Sequence, residues 1–426
     1  MSTIQSRNRQ EMRQSIGRNM GIVIIGEATS TVDNTSLIDT KWLARGGDDE
    51  HNGKQVVIYD AAGSIVDGET SFVSDFAAAT YDATCTPAFS ASIADGDKYE
   101  LWQSPWTKED IDDIINQCIS AVSGESLLDK ETHDTFTESE GYVYNCLSGF
   151  AALHTVEYCA GIGTEFLIDN CETAMTAGAN VTATADTSFK KEGNTSAKLV
   201  MAAGAGVQLL AYGTISSIDL SQCDKVELWI YSSVALDAGD LQLQLDNTAA
   251  CASALETIDI PATTAATWTR HVISLANPHL DTAIISWGIY QAVDKGACTV
   301  YVDYVKAVKD STRQWTRLNP QQWFISKGTT PYLNLTASGK SVTGDNTLLR
   351  LTGYKIPSLL SSETTDSEID PAWVIAEATW QGLIGHAKSS SVDINDRKGL
   401  ADRWKAEANT RRASIRANIL PDTRWC

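Results

Sequence analysis

The residues able to do chemistry are mostly carboxylates. The densest runs are Asp48-Asp49-Glu50 and the group Asp110, Asp112 and Asp113. Two carboxylates at a defined separation are what glycoside hydrolysis requires. With 54 acidic residues in 426, such neighbours also arise by chance. The six histidines (His51, His133, His154, His271, His279 and His386) are scattered, and none falls in H-E-x-x-H or H-x-x-x-H. The nine cysteines are odd in number and never spaced C-x-x-C. They read as small buried hydrophobes, not as zinc ligands or a disulfide framework. Gly204-Ala205-Gly206 begins like a dinucleotide fingerprint, but Leu209 stands where the third glycine belongs. Neither G-x-x-x-x-G-K-[ST] nor G-x-S-x-G occurs. No enzyme and no cofactor are expected.

Two binding chemistries are compatible with the residue types. Asp169, Glu172 and Asp303 would lie near the first and last strands of a β-rich segment, and hard oxygen ligands suit Ca²⁺. An ordinary solvated strand edge is the preferred reading, and no metal is expected. Trp229, Tyr231, Trp268, Trp287 and Tyr290 would supply aromatic faces to a sugar, although core packing is the preferred account of aromatic residues in strands.

The net charge is −21. Wrapping nucleic acid needs clustered Lys and Arg, so an acidic chain is a poor candidate for it. The charge is uneven. Residues 1–20 carry four arginines against one glutamate, and residues 396–426 carry eight cations against four carboxylates. Two basic ends therefore flank an intensely acidic body. They are either solvated helices or surfaces for an acidic partner. The apolar run Gly21–Gly26 is far short of the ~20 residues of a membrane span. It also lacks the ~7–15-residue apolar region of a secretory signal. The expectation is a soluble protein made in a cytosol, with no membrane partner. On that expectation the sequons at Asn34, Asn180, Asn194 and Asn334 carry no meaning.

The elements that must position these residues follow from periodicity. Ile4, Met12, Ile16 and Met20 form a thin stripe on a helix over 2–20. Ile111, Ile114, Ile115, Cys118, Ile119 and Val122 form one apolar face of a helix over 107–122, with Thr107 and Asp110 as a capping box. Asn52-Gly53, Asp67-Gly68 and Asp95-Gly96 mark turns of a small antiparallel module over 21–103. His133–Gly141 reads as a polar loop. From 166 the composition shifts to Ala, Thr, Ser and Gly, and about seven alternating segments over some 140 residues predict a β-sandwich. Beyond 313 come short strands, with Gly353 and Pro357 as punctuation. A helix opens at Asp370-Pro371, and a basic helix runs over 395–418. The fold class is therefore α+β. A composite helix-plus-antiparallel-β domain, over 1–165 and 311–426, is interrupted by an all-β jelly-roll sandwich at 166–310.

The order of certain segments resembles the head-to-tail connector (adaptor or neck) proteins of tailed bacteriophages. The segments are Thr35-Ser36-Leu37-Ile38-Asp39, Asp48-Asp49, Asn52-Gly53, Val66-Asp67-Gly68-Glu69 and Gly96-Asp97-Lys98-Tyr99-Glu100-Leu101, followed by the helix from Trp106 to Asn116. Leu349-Arg350-Leu351-Thr352-Gly353-Tyr354-Lys355-Ile356-Pro357, the last helix and Thr423-Arg424-Trp425 are similar to that family's closing parts. The sandwich departs from the family's shortest members and resembles carbohydrate-binding jelly rolls. The resemblance implies a non-catalytic virion protein, made in the host bacterial cytoplasm and located in the neck between capsid and tail. It implies a homo-oligomeric ring, commonly of twelve copies, contacting the portal protein above and a tail or neck protein below. Viral DNA would pass through an acidic channel without specific binding. Arg403, Arg411, Arg412, Arg416, Arg424 and Trp425 would dock on the portal, as an extended segment that orders on binding. The alternatives are another virion component (tail terminator, tail tube or decoration) or a carbohydrate-binding adhesion protein acting through the sandwich.

Overall fold

The computed structural model describes residues 6–45, 47–161, 163–385 and 394–426. His386 and the start of the helix expected over 2–20 lie outside these residues. The chain is mostly β and divides into two compact units, 1–129 with 354–419 and 130–353 with 420–426. No helix among the described residues is long and apolar enough to cross a membrane.

The first unit holds a six-stranded antiparallel sheet in the order Val23–Glu27, Lys98–Trp102, Gln55–Asp60, Thr70–Ala77, Asp82–Thr86, Ser36–Ile38. Its helices are α1 (Arg9–Met20) and α2 (Lys108–Ala121), and after the long excursion of the chain the helices Pro371–Gly385 and Ile394–Arg411. The capping box expected for α2 forms, with the Asp110 amide donating to Thr107 Oγ1 at 3.2 Å and the Thr107 amide to the Asp110 carboxylate at 2.9 Å. The stripe Ile111, Ile115, Cys118, Ile119 is buried against Met12, Ile16, Trp373 and Val374. Each such side chain contributes about 1.5–3 kcal/mol. The last helix stops at Arg411, seven residues earlier than its sequence suggests, and gives way to a 3-10 turn over Arg412–Ser414.

The second unit contains the sandwich. One sheet runs Val181–Asp186, Ser196–Met201, Cys298–Val308, Lys225–Ser232, Thr269–Ser274, with Glu165–Asp169 also pairing Cys298–Val308. The other runs Thr176–Ala177, Gln208–Ile218, Ile284–Gln291, Leu241–Asp246, Glu256–Asp259. Eleven strands thus replace the seven expected. The extra ones are short or built from small residues: Val181, Ala183 and Ala185 alternate with polar residues but carry too little apolar bulk to stand out in sequence. The two inner faces share one core, in which Leu228, Ile230, Leu243, Trp287, Val300 and Val302 are fully buried.

A further sheet consists of Gln314–Arg317, Ala152–Gly161, Leu348–Lys355 and Leu128–Phe136, of which the residues from 130 to 353 belong to this unit. Two sequence expectations change here. His133 to Phe136 belong to a strand, not a loop, because the polar run is an edge strand with one side open to solvent. Gly353 does not end a strand but sits inside one. A Cβ there would overlap the Ala152 carbonyl oxygen, so only glycine allows the strands to approach this closely.

A buried carboxylate in the sandwich gives a first prediction. Asp281 is fully buried, and neither carboxylate oxygen has a hydrogen-bond partner. Burial first, and the Glu256 carboxylate second, push its pKa up to about 7. A raised carboxylate pKa means that the folded chain holds this proton more tightly than the unfolded one. Stability is then greatest below the unfolded value near 3.8 and falls as pH rises toward 7. Asp281→Asn is expected to raise stability at pH 8 by on the order of 2–3 kcal/mol and to change little at pH 4. Urea unfolding at both pH values measures this, and equal effects at both would refute it.

Candidate functional site

The outer face of the first sandwich sheet is built by strict alternation. In Lys225–Ser232, Val226, Leu228 and Ile230 point into the core, so Glu227, Trp229 and Tyr231 point outward. Trp229 pairs with Arg270 and Tyr231 with Tyr301 in register. Trp268 sits immediately before Thr269–Ser274. Phe189 comes from the loop after Val181–Asp186 and is held by its own amide donating to Asp186 Oδ1 at 3.2 Å. The rings of Phe189, Tyr231, Trp268 and Tyr301 make six mutual contacts with centroids 4.7–6.1 Å apart. All four are partly exposed. Aromatic side chains normally bury their faces, so a cluster left half open to water is a binding surface in waiting.

A charged floor fixes the neighbouring residues. Glu227 is buried and accepts from Arg270 at 2.9 Å and from Arg313, with Lys306 at 3.7 Å. Burial opposes its charge, but the three cations outweigh burial and hold its pKa below the usual carboxylate range. Glu192 Oε1 accepts the Trp229 indole N–H at 2.8 Å and a second Arg270 contact at 3.4 Å. Arg270 is therefore locked between two carboxylates, and its guanidinium stacks on Phe136 at 3.9 Å and on Trp229 at 5.6 Å.

Beside this floor a groove of about 300 Å³ opens between Trp268, Thr269 and Arg270 on one side and residues from 134 to 146 on the other. Asp134, Glu138 and Asn145 are exposed in it, Phe136 and Trp268 supply apolar surface, and Trp229 lines it while itself buried. Flat apolar faces with a few convergent polar groups suit a ligand that is itself flat, hydroxylated and amphipathic. The edge strand carrying Asp134 and Phe136 reads as loop in the sequence, so sequence reasoning missed this wall. The D-x-F alternation at 134–136 was the only signal for it.

The five aromatic residues singled out from the sequence do not form one site. Tyr231 and Trp268 meet on the outer face described here, while Trp229, on the same face, is buried and packs against Phe136. Trp287 is fully buried in the sandwich, its indole N–H donating to Asp169 at 2.8 Å. Tyr290 pairs in register with Gln242 on the opposite sheet. Phe189, Tyr301, Phe136 and Arg270 were not singled out.

The three carboxylates considered as calcium ligands serve as loop clasps. Asp169 accepts from the Cys171 amide at 2.7 Å and from Trp287, Glu172 from the Asn194 amide at 2.6 Å, and Asp303 from the Lys191 and Glu192 amides at 2.7 and 3.0 Å. Among the described residues no group of three or more His, Cys, Asp or Glu is placed to hold a metal. The acidic runs are similarly engaged. Asp48 accepts from Ala78, Asp49 from Asn52 and Glu50 from Gly47, while Asp110 caps α2 and Asp112 binds Arg13. His133 lies 3.3 Å from Asp310, and His271 lies 3.0 Å from Thr263.

The basic residues near the C-terminus are spread out. Arg403 is exposed on the last helix. Arg411 pairs with Glu407 at 2.6 Å, and Arg412 and Arg416 share Glu125 at 2.7 and 3.4 Å. Arg424 donates to the Trp323 and Pro320 carbonyls and stacks on the Trp323 ring at 4.4 Å. Trp425, 42% exposed, already pairs with Ala152 as part of a two-residue strand.

No family model matches the chain, and no curated protein sequence matches it either. Among solved structures, it is similar to the family 11 carbohydrate-binding module of the cellulosomal cellulase Lic26A-Cel5E of Clostridium thermocellum. That match has 14% identity over 35% of this chain and 96% of the module, with a TM-score of 0.26. It is also similar to the CBM22-1–GH10 modules of xylanase 10B from Clostridium thermocellum, with 13% identity over 35% of this chain and 28% of that one and a TM-score of 0.22. A point mutant of the family 29 carbohydrate-binding module CBM29-2 matches at 6% identity over 34% of this chain and 91% of that one, with a TM-score of 0.20.

Proposed function

We propose that the protein binds carbohydrate through its second unit, at the groove between Trp268 and Arg270 and the 134–146 segment. The observation that carries this reading is the groove itself. It is about 300 Å³ in volume, lined by the partly exposed rings of Phe136 and Trp268 and edged by exposed carboxylate and amide groups. The aromatic cluster of Phe189, Tyr231 and Tyr301 extends the stacking surface beyond Trp268. A sugar ring lays its apolar face on such a surface and gives its hydroxyl groups to the rim. Affinity electrophoresis of the whole chain through gels cast with soluble polysaccharides tests this. Retardation by at least one polysaccharide is expected, and unaltered mobility in all of them refutes the reading.

A second reading, the neck connector of a tailed-phage virion, is favoured by one observation. Residues 1–129 and 354–419 fold as one unit across a long intervening segment, so early and late parts of the chain that carry the resemblance come together, although 130–165 and 311–353, expected with them, belong to the other unit. On this reading a homo-oligomeric ring meets the portal through the basic C-terminal residues, and the glycan-binding unit serves as a decoration. Light scattering of the chain, alone and mixed with portal, is expected to give the mass of a closed ring of about a dozen subunits. A monomer or trimer that ignores the portal removes this reading and leaves the first intact.

A further inference from the structure

Resting on the carbohydrate reading, we infer that the groove selects glycans carrying a free ammonium group, that is, oligosaccharides of de-N-acetylated amino sugars. The charge around the groove points there. Arg270, its one lining cation among the described residues, is neutralised by Glu192 and Glu227. Lys340 reaches the Glu138 main-chain carbonyl, but its ammonium also serves the Gly344 carbonyl and the Asp345 carboxylate at 2.8 Å. Lys191 lies over the Trp229 ring at 5.0 Å and does not line the groove. The carboxylates of Asp134 and Glu138 have no ion-pair partner among the described residues, and Asp134 accepts only the Thr135 hydroxyl at 3.3 Å. Two uncompensated carboxylates thus flank aromatic walls. A neutral sugar can give these exposed carboxylates hydroxyl donors but no counter-charge. A uronic acid or sulfated sugar would be repelled. An ammonium-bearing sugar adds ion pairing with these carboxylates to the hydrogen bonds that any hydroxyl could give them, while its ring stacks on the groove's aromatic residues.

Calorimetric titration of the whole chain with a glucosamine hexamer, an N-acetylglucosamine hexamer and a cellohexaose measures this selectivity. The glucosamine hexamer is expected to bind at least tenfold more tightly than either neutral hexamer. The preference should shrink as salt rises, because exposed charges are screened over about 10 Å at 0.1 M. The double variant Asp134→Asn/Glu138→Gln should bring the ratio close to one. Asp75→Asn, exposed in the other unit, should leave it unaltered. Equal binding of all three hexamers, or a preference that survives the double variant, overturns the ammonium inference while the carbohydrate reading stands. Failure of all three hexamers together with unaltered mobility on every polysaccharide removes both.

Discussion

Trp268→Ala weakens glycan binding by roughly 30-fold or more, the loss of about 2 kcal/mol that marks a dominant contact. The argument is geometric. Among the described residues, Trp268 is the one that both lines the groove and belongs to the exposed aromatic cluster. Its ring is held in place by Phe189 at 5.4 Å, Tyr231 at 5.8 Å and Tyr301 at 6.1 Å. A preorganised flat surface gains more from a stacked ligand than a mobile one, because less side-chain freedom is lost on binding. Trp268→Phe should therefore keep most of the affinity. The ring is half exposed, so neither change should unfold the sandwich, and thermal melts of the variants should match the parent within a few degrees. Tyr290→Ala on the opposite sheet is the discriminating partner. If that variant loses binding while Trp268→Ala retains it, the site lies on the other face and the assignment fails. Trp287→Ala answers a different question, since Trp287 is fully buried and its removal damages the core.

A small part of this site was legible in the sequence, and the part that was not has a physical reason. The strand Val226 to Ile230 alternates cleanly, so the outward direction of Trp229 and Tyr231 could be deduced. Trp287 alternates equally well, but alternation tells which residues share a face and not which face meets water. That choice depends on the second sheet. The groove wall was hidden because Asp134 and Phe136 lie on a polar edge strand whose pairing with Leu348–Lys355 spans more than 200 residues of sequence. The short helix Ala337–Thr343 was missed for a related reason. Its residues are mostly small and polar, and it is set by the Thr336 cap and by Gly339 packing against Gln322, not by an apolar stripe. The long amphipathic α2 was found nearly to the residue because its core face and its cap are both local signals.

The stripe on α1 hid a residue of greater consequence than any it displayed. Arg13 lies beside Met12 and looks solvated in the sequence, yet it is fully buried. Its guanidinium grips Glu100 at 3.0 and 3.2 Å, Asp112 at 3.0 Å and Glu363 at 2.5 Å. Arg9 and Lys108 add cations at 2.9 and 3.1 Å from Glu363, so three positive charges meet three negative ones. Arg13→Ala removes the central cation and leaves Glu100, fully buried, without its ion partner. The expected loss is about 3–5 kcal/mol, because the uncompensated charge costs more than the pair gains. Arg13→Lys should recover little, since one ammonium cannot reproduce the planar fork that reaches three carboxylates. The pH dependence identifies the cause. Burial opposes the charge on Glu363, but Arg13 and Lys108 outweigh it and bring its pKa down to about 2. A depressed carboxylate contributes stability above its unfolded value near 4.5, and that contribution is lost as pH falls toward 2. The gap between parent and Arg13→Ala should therefore be widest at pH 7 and narrow below pH 4.5, where the stranded carboxylates take up protons. Hydrogen exchange of α1 in urea at pH 7 and pH 3.5 reads that gap directly. A gap of the same size at both values would mean that Arg13 stabilises the unit through packing alone.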